Sequence, residues 1–312
     1  MEEFMNDVIK ALKMKLGEGY RIFPKEQRKN NELVLYGICI HKENESVSPV
    51  VYPEQFILPY IAGVLDAEKI ADILLEQCRQ GKISQDMAVH LDDFGLMKDK
   101  VRIRLVNYGA NSSELEGVPH RKFLDLAITY YLDMQADLAG QNGAGAITNA
   151  LMDIWGVSED ELYRLGMERL LSKDAFQATD IFDLIRNAAQ EEQDTQMEEA
   201  IAELQKDHGR PKMYVVTNQG RFYGANCLLN TSFLQEMAED SGSSLIIFPS
   251  SVHELVILQQ KNGNENRMET KDIQEINYEY LPKDEWLSNS IYRYDREKRE
   301  VSVYKEGAPL LW

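Results

Sequence analysis

Apolar residues recur at helical spacing in the first segment of the chain, residues 2–16. Those on the shared face are Phe4, Val8, Ile9, Leu12 and Leu16. This pattern predicts an amphipathic helix that ends at Gly17. Residues 20–28 and 32–41 are then predicted to form two strands, with residues 29–31 as the turn between them.

A proline marks the next predicted strand, residues 47–52, as a sheet edge. Pro49 has no amide hydrogen to donate to a second neighbouring strand. A helix is predicted over about 53–62, and Asp66 is the predicted cap of another. The apolar face of that second helix comprises Ile70, Ile73, Leu74 and Cys78. These elements predict an N-terminal α+β lobe, residues 1–149.

The end of this lobe contains one clear strand and one ambiguous segment. Residues 100–108 alternate apolar side chains with two arginines, which predicts a strand with one solvated face. The apolar residues of 123–132 fit a helix and a strand nearly equally. Because 128–131 is rich in residues that favour strands, we predict a strand that pairs with 100–108. Glycines indicate a flexible loop over 141–145.

The middle segment, residues 150–208, is predicted to be helical. Predicted helices span 147–155, 175–186 and 191–206, and a further helix begins at the capping box Ser158-Glu-Asp-Glu161. The predicted inward residues of the capped helix are Leu162, Leu165, Met167, Leu170 and Leu171. The helix over 191–206 has a narrow apolar stripe, comprising Met197, Ala200, Ile201 and Leu204, beneath a charged face.

The remaining residues, 209–312, alternate strands and helices in the order ββαββαββ. Predicted strands span 213–217, 221–229, 244–248, 253–259, 290–295 and 300–305, and predicted helices span 231–239 and 269–280. Short turns between consecutive strands favour one antiparallel sheet with its helices on one face. We expect this lobe to fold independently after a linker at 207–211. The whole chain is therefore predicted to be α+β, with two antiparallel-sheet lobes joined by the acidic helical segment 150–208.

Negative charge is concentrated in that middle segment. The chain has a formal net charge of -18. Residues 150–207 contain five Lys/Arg and 15 Asp/Glu, a net charge of -10 and more than half of the total. Such a surface repels a phosphate backbone, so direct nucleic-acid binding is not expected. The charge allows a protein partner with a basic surface, and the alternative is a solvated helical face without a partner.

The composition indicates a cytoplasmic protein. The N-terminal residues 1–7 are acidic, where a signal peptide would be basic, and no run of about 18 apolar residues occurs, so no membrane association is expected. The three cysteines are far apart and lack a CxxC pair, which favours reduced thiols. The histidines show no HxH or HExxH spacing, so no metal site is predicted, and no cofactor motif is present. The oligomeric state is left open.

Two polar loops contain the candidate site residues. In the first, His120 and Arg121 are candidate catalytic residues together with Asp125, because arginine can clamp an anion and histidine titrates near neutrality. Asn107 and Asn111 are candidate ligand-binding residues in the same stretch. The alternative is structural: His120 caps a strand end, and Arg121 pairs with Asp125 across a turn.

The second loop, Pro249-Ser-Ser-Val-His-Glu254, contains the candidate catalytic residue His253 and the candidate ligand-binding residues Ser250 and Ser251. Asn218 is a further candidate ligand-binding residue. Side chains two apart on a strand are separated by nearly 7 Å, roughly twice the reach of a Ser/His hydrogen bond, so a serine hydrolase is not favoured. If the protein has a site, His120 and His253 should converge on one polar pocket suited to a small anion, and a metal site joining them stays an alternative.

The stretches that contain these loops also carry a family resemblance. Leu105-Val-Asn-Tyr-Gly-Ala-Asn111 with Val118–Ala127, and Tyr214–Asn218 with Tyr223–Asn226 and Phe248–Glu254, resemble a clostridial and gut-bacterial family of unknown function that is distantly YtpQ-like. The resemblance implies an accessory or mobile-element gene and assigns no role to these residues. The sequence Tyr-Gly-Ala-Asn occurs in both stretches, and coincidence is favoured over duplication because the flanks differ.

Two functions follow from these observations. The favoured one is a non-enzymatic binding or regulatory protein that acts through protein–protein contacts, with an acidic inhibitor encoded by a mobile element as its narrower form. The alternative is an unrecognised enzyme or small-anion-binding protein that uses His120, Arg121, Asp125 and His253.

Overall fold

The computed structural model describes residues 2–43, 48–80, 91–133, 144–172, 175–192, 194–205, 212–259, 279 and 281–304. Over these ranges the fold is α+β, as predicted, and its strands form three antiparallel sheets. The helices are α1 (Glu2–Leu16), α2 (Ile57–Ile61), α3 (Ala67–Gln80), α4 (Phe94–Met97), α5 (Ser112–Leu115), α6 (Asn149–Trp155), α7 (Glu159–Leu170), α8 (Ile181–Glu192), α9 (Thr195–Gln205) and α10 (Thr231–Ser241).

The strands are β1 (Tyr20–Lys29), β2 (Leu33–Lys42), β3 (Val50–Val51), β4 (Val101–Asn107), β5 (His120–Phe123), β6 (Leu126–Asp133), β7 (Ala144–Ala146), β8 (Phe176–Asp180), β9 (Lys212–Asn218), β10 (Leu245–Pro249), β11 (Leu255–Gln259), β12 (Tyr292–Asp295) and β13 (Glu300–Val303). The chain divides into two compact units. Unit one comprises 1–101 with 131–157, and unit two comprises 102–130 with 158–312. The predicted arrangement of two lobes joined by residues 150–208 stays a prediction.

In unit one, α1 and α3 contribute their apolar faces to a core that also contains the β1–β2 hairpin. The hairpin pairs from Tyr20 with Lys42 to Lys29 with Leu33, and β3 lies at the sheet edge, as predicted. Asp66 Oδ1 accepts from the Lys69 amide at 2.8 Å, which confirms the predicted cap. The predicted inward position of Ile73 is wrong, because this side chain is 36% exposed.

The glycine-rich stretch before α6 is partly a strand. Ala144 and Gly145 belong to β7, which pairs with the 131–133 end of β6, so the predicted loop is wrong at these two residues, and 141–143 lie outside the described ranges. The predicted helix that follows is confirmed. Thr148 caps it, and Gly156 ends it with a φ of 64°.

Unit two contains a sheet of six described strands in the order β13-β12-β10-β11-β9-β8, in which all neighbours are antiparallel. Its apolar side chains include a buried cluster of Ile246, Phe248, Leu258 and Ile291. The predicted terminal hairpin is confirmed as β12 and β13. The ambiguous segment 123–132 is mainly strand β6, which lies beside β4 as predicted.

The predicted strand over 221–229 is wrong, because the chain forms a buried 3₁₀ helix over Gly224–Leu229. The Asn218 side chain starts the departure from extended structure: Oδ1 accepts from the Phe222 amide at 3.1 Å, and Nδ2 donates to the Phe222 carbonyl at 2.7 Å. Side-chain bonds of this kind compete with a sheet ladder. Gly224 then passes so close to other backbone that an added Cβ would lie 2.4 Å from the His253 carbonyl oxygen.

The predicted helix over 175–186 is wrong in its first half. Residues 176–180 form β8, which pairs with β9 along its length, and only then does α8 begin, with Asp180 Oδ1 accepting from the Phe182 amide at 2.9 Å. Several predicted inward residues also depart from expectation. Leu171 is 49% exposed, Met197 is 46% exposed and Ala200 is exposed, while Leu162, Leu170 and Ile201 are buried. The predicted linker 207–211, His90, His208 and nearly all of the predicted helix 269–280 lie outside the described residues.

We predict that residues 209–312 do not fold cooperatively alone. The fragment lacks β8, the partner of β9, and it lacks the Ile103 carbonyl that accepts from buried Asn226 Nδ2 at 2.8 Å. Loss of these partners leaves a bare strand edge and an unpaired buried donor. Thermal melts by circular dichroism should be cooperative for a fragment of residues 102–312 and broad for 209–312. A sharp transition for 209–312 would instead support the independence expected from its sequence.

Candidate functional site

Arg121 lies in unit two, where it binds the start of α7. Its Nε and Nη2 donate to the Glu159 carboxylate at 3.1 and 2.6 Å, and Nη2 also donates to Asp160 at 2.7 Å. The guanidinium carbon lies 3.9 Å from the centroid of the Tyr163 ring, a cation–π contact. The predicted alternative pairing of Arg121 with Asp125 is therefore wrong. An arginine already bound to two carboxylates has little capacity to clamp a further anion.

The Glu159 carboxylate is shared with a buried tyrosine. The Tyr130 hydroxyl donates to Glu159 Oε1, and its pKa is raised, first by burial and then by this hydrogen bond. The pKa of Arg121 is also raised, chiefly by its hydrogen bonds to Glu159. The capping box places the carboxylate: Ser158 Oγ accepts from the Glu161 amide at 3.3 Å, as predicted, so Glu159 falls in the first helical turn.

Asp125 binds a different part of unit two. It lies in the tight turn between β5 and β6, where Leu124 has a φ of 57°. Its Oδ2 accepts from the Ser288 and Ser290 hydroxyls at 2.6 and 3.0 Å, and its Oδ1 accepts from the Tyr292 hydroxyl at 2.8 Å. Burial, followed by the charge of Asp125, raises the pKa of Tyr292. Three hydroxyl donors hold this carboxylate in a structural role.

The two asparagines of the first loop shape the same region. Asn107 Oδ1 accepts from the Ala110 amide at 2.9 Å, and its Nδ2 donates to the Leu287 carbonyl at 3.1 Å. Asn111 is 2% exposed, and its Nδ2 donates to the Asn107 carbonyl at 2.8 Å. Both side chains thus bind the backbone and complete a turn, which is the common structural use of asparagine.

The ring of His253 is fixed by a hydrogen bond from a backbone amide and by an aromatic neighbour. Its Nδ1 accepts from the Tyr223 amide at 3.1 Å, which places the proton of the neutral ring on Nε2. The Tyr223 ring stacks on the imidazole, with the two ring centroids 5.5 Å apart and an interplanar angle of 14°. Burial lowers the pKa of His253, and the carboxylates Glu285, Glu254 and Asp284 oppose this shift.

The serines beside His253 bind groups other than its ring. Ser251 Oγ accepts from the His253 backbone amide at 3.0 Å, and Ser250 Oγ donates to Glu254 Oε1 at 3.3 Å. Ser251 also donates its amide to the Glu254 carbonyl at 3.2 Å. This arrangement is an ordinary turn, and it does not place a hydroxyl for activation by the imidazole.

His120 contacts a separate set of residues. Its Nδ1 lies 3.1 Å from the Val118 carbonyl oxygen, and its ring lies 6.2 Å from that of Tyr108. The contacts of His253 are with Phe222 and Tyr223. The predicted convergence of the two histidines on one pocket stays a prediction, and their contacts in the structure give it no support.

The partners of the candidate residues lie far away along the chain, where no sequence pattern links them to these residues. Glu159, Ser288 and Tyr292 are separated from Arg121 or Asp125 by 38 to 167 positions. Only the capping box around Glu159 gave a local signal. Arg104 was also missed: it donates from Nη1 to the Tyr223 hydroxyl at 3.2 Å and from Nε to Thr129 Oγ1 at 3.1 Å.

The described residues limit the other kinds of site. Within these ranges no three His, Cys, Asp or Glu side chains converge as metal ligands. None of the described helices is long and apolar enough to cross a membrane. Cys227 is fully buried, and burial raises its pKa, so its thiol is a poor nucleophile.

Comparison with known proteins identifies a family without an activity. The model of a family of unknown function, DUF5688, matches residues 1–296, and the chain belongs to this family. No curated protein and no solved structure matches the chain. The relation to YtpQ-type proteins and the bacterial source inferred from the sequence stay predictions.

We predict that Asp125→Ala destabilises the protein. The change removes the acceptor of three hydroxyl donors, and hydrogen bonds to a charged group contribute about 1.5–3 kcal/mol each before coupling, so a loss of about 3 kcal/mol is expected. Asp160→Ala is the control, because its side chain is 89% exposed and a surface ion pair contributes about 0–1 kcal/mol. Urea unfolding measures both. Equal effects of the two changes would contradict the structural role of Asp125.

We also predict that His253 titrates below 6.5, the ordinary value for histidine, because burial disfavours the charged ring. As the pH falls, His253 is therefore protonated at a higher pH in the unfolded chain than in the folded protein. The free energy of unfolding should therefore fall as the pH drops below about 6.5, with no such contribution from His253 above it. NMR titration of the ring proton, assigned with His253→Gln, gives the midpoint, and a midpoint above 6.5 would refute the prediction.

Proposed function

We propose that this member of the DUF5688 family is a non-catalytic binding protein that recognises a basic surface of a protein partner. The observation that supports this most directly is the acidic hairpin, defined as α8 and α9 with the residues between them, 181–205. It contains seven carboxylates and one basic residue. The exposed carboxylates are Asp183, Glu191, Glu192, Asp194, Glu199 and Glu203.

The packing of the acidic hairpin turns these charges outward. Ala189 of α8 is 4% exposed and Ile201 of α9 is 2% exposed, so small apolar contacts hold the helices and leave the carboxylates in solvent. The basic residue, Arg186, lies 3.2 Å from Asp183 and offsets little of the total charge. Complementary charge of this density speeds association and selects basic partners.

Apolar side chains interrupt the acidic surface. Ile185 of α8 is 38% exposed and Met197 of α9 is 46% exposed. Methionine is enriched in protein–protein interfaces, where its flexible side chain adapts to a partner. The combination of charge for selection and apolar contacts for affinity supports a protein partner over a purely solvated face.

The hydrogen bonding of the candidate catalytic residues supports a non-catalytic function. Arg121 is bound to carboxylates, Asp125 to three hydroxyls, and His253 to a backbone amide. The alternative function, an enzyme or anion-binding protein built on these residues and His120, would require these bonds to break. The binding function requires no such change.

The narrower form of the proposal concerns the partner and the setting. A nucleic-acid enzyme has a basic groove that the acidic hairpin could occupy, in which case the protein would act as an inhibitor encoded by a mobile element. We place this function in the bacterial cytoplasm, where cysteines such as Cys39 and Cys227, both buried thiols, are stable.

We predict that a basic probe binds the acidic hairpin in a salt-dependent way. The test measures poly-lysine binding to the full chain by fluorescence anisotropy, with Glu191, Glu192, Glu199 and Glu203 all changed to Gln in the variant. At about 0.4 kcal/mol for each exposed charge pair, the four changes should weaken binding roughly tenfold. Raising the ionic strength should weaken the wild type steeply and the variant less.

A control variant of the protein has the same change in net charge, but its four substitutions lie in unit one. Glu18, Glu26, Glu43 and Glu68 are exposed there and are changed together to Gln. Binding by this control should stay near the wild-type value apart from the general effect of net charge. If the two quadruple variants weaken binding equally, or if binding is indifferent to salt, the acidic hairpin is not the recognition surface.

A further inference from the structure

A cavity of about 440 Å³ lies in unit two, between α10 and the β8, β9 and β11 strands. Its walls combine three chemical types. The exposed carboxylates Glu236, Glu239 and Asp240 come from the helix. The aromatic rings are those of Tyr214, from the sheet, and Phe233, from the helix, and the amide of Gln259 belongs to the sheet. This volume suits a small organic group.

The sheet register explains why these side chains share one space. Tyr214 of β9 pairs with Ile257 of β11, and Gln259 lies two residues further along β11. Residues paired across strands, and residues two apart, point to the same face of a sheet. Phe233 and Asp240 occupy one face of α10 because they are seven residues, about two turns, apart. The Phe176 and Phe233 rings, 5.8 Å apart, hold that face against β8.

Gln259 lines the cavity with a side-chain amide whose nitrogen is already hydrogen-bonded. The side chain is 8% exposed, and its Nε2 donates to the Met237 carbonyl at 2.9 Å, which fixes the amide orientation. Among the described residues no donor reaches its Oε1. A nearly buried acceptor beside a polar cavity calls for a donor from water or from a ligand.

The charges of the lining residues indicate which kind of ligand could supply that hydrogen-bond donor. None of its described lining residues is basic, and three are acidic. Lys212 lies on this face of the sheet, where it is exposed and pairs with Gln259 across the strands. Aromatic faces attract organic cations, and their apolar edges accommodate methylene groups. A hydrated metal ion would use neither feature.

We infer that the cavity binds an alkylammonium group, with Gln259 Oε1 as its buried acceptor, Tyr214 and Phe233 along its methylenes, and the carboxylates of Glu236 and Asp240 at its charge. The group belongs either to a free polyamine or to a lysine side chain of a protein. This inference goes beyond the proposed function, because the cavity is built from α10 and the sheet and not from the acidic hairpin.

The experiment titrates the full chain with spermidine, and separately with a short lysine-containing peptide, by isothermal calorimetry. Saturable binding with one site is expected. Glu236→Gln combined with Asp240→Asn should weaken it at least about tenfold, because both charges that face the ammonium group are lost. Gln259→Leu, of similar size, should weaken it further through loss of the acceptor, and its thermal melt checks that the protein still folds.

Matched variants separate the cavity from general charge effects. Glu297→Gln with Glu300→Gln removes two exposed carboxylates elsewhere in unit two and should leave binding unchanged. Lys212→Met removes a competing cation and should tighten binding about two- to threefold. The fourfold variant of the acidic hairpin should also bind spermidine normally, so the two sites can fail independently.

Each outcome has a defined meaning. Spermidine binding that depends on Glu236, Asp240 and Gln259 supports a polyamine site. Binding of the peptide but not of spermidine, with the same dependence, supports the alkylammonium site and identifies a protein lysine as its source. Binding that is not saturable, or that the cavity variants and the Glu297/Glu300 control change equally, overturns the inference.

Discussion

The carboxylate of Asp125 is the interaction on which the arrangement of unit two depends most. It joins a two-residue turn between β5 and β6 to the segment that leads into β12, through hydroxyl donors at Ser288, Ser290 and Tyr292. β12 pairs with β10 at the centre of the six-stranded sheet, so the hydrogen bonds of this carboxylate also fix the β5–β6 turn relative to that sheet. A partly buried charge of this kind is stabilised when its acceptor positions are filled, and here three hydroxyl groups donate to it.

Other polar side chains that are buried or partly buried are paired in the same way and have structural roles. Arg121 joins β5 to the first turn of α7 through its hydrogen bonds to Glu159. Asn226 joins the 3₁₀ helix to β4 by donating to the Ile103 carbonyl. Each residue type was chemically suggestive, yet each serves to hold distant segments of the chain together. Among the described residues, the carboxylates of the acidic hairpin and the cavity beside α10 are the features on which the two proposals rest.

Local patterns predicted the elements whose structure is decided locally. The helix over 2–16, the hairpin over 20–41 and the capped helix at Ser158 all follow from periodicity or capping. The predictions for residues 176–180 and 221–229 are wrong because partners outside these segments decide their structure. Residues 176–180 pair with β9 as a strand. In 221–229, hydrogen bonds to Asn218 and Ile103 replace an extended strand with a turn and a 3₁₀ helix. The candidate residues were likewise visible in the sequence, whereas their partners, far away along the chain, were not.

The uneven charge of the chain has an energetic consequence for binding. Arg121 and Arg164 bind carboxylates of α7, and the acidic hairpin itself contains one basic residue, so the carboxylates of the hairpin repel one another in the free protein. A basic partner that bound the folded form would relieve that repulsion, and the folded form would gain stability that rises with the logarithm of the partner concentration once this exceeds the dissociation constant. Excess charge of one sign is thus costly in the free protein, and a basic partner of the kind proposed for the acidic hairpin would offset that cost.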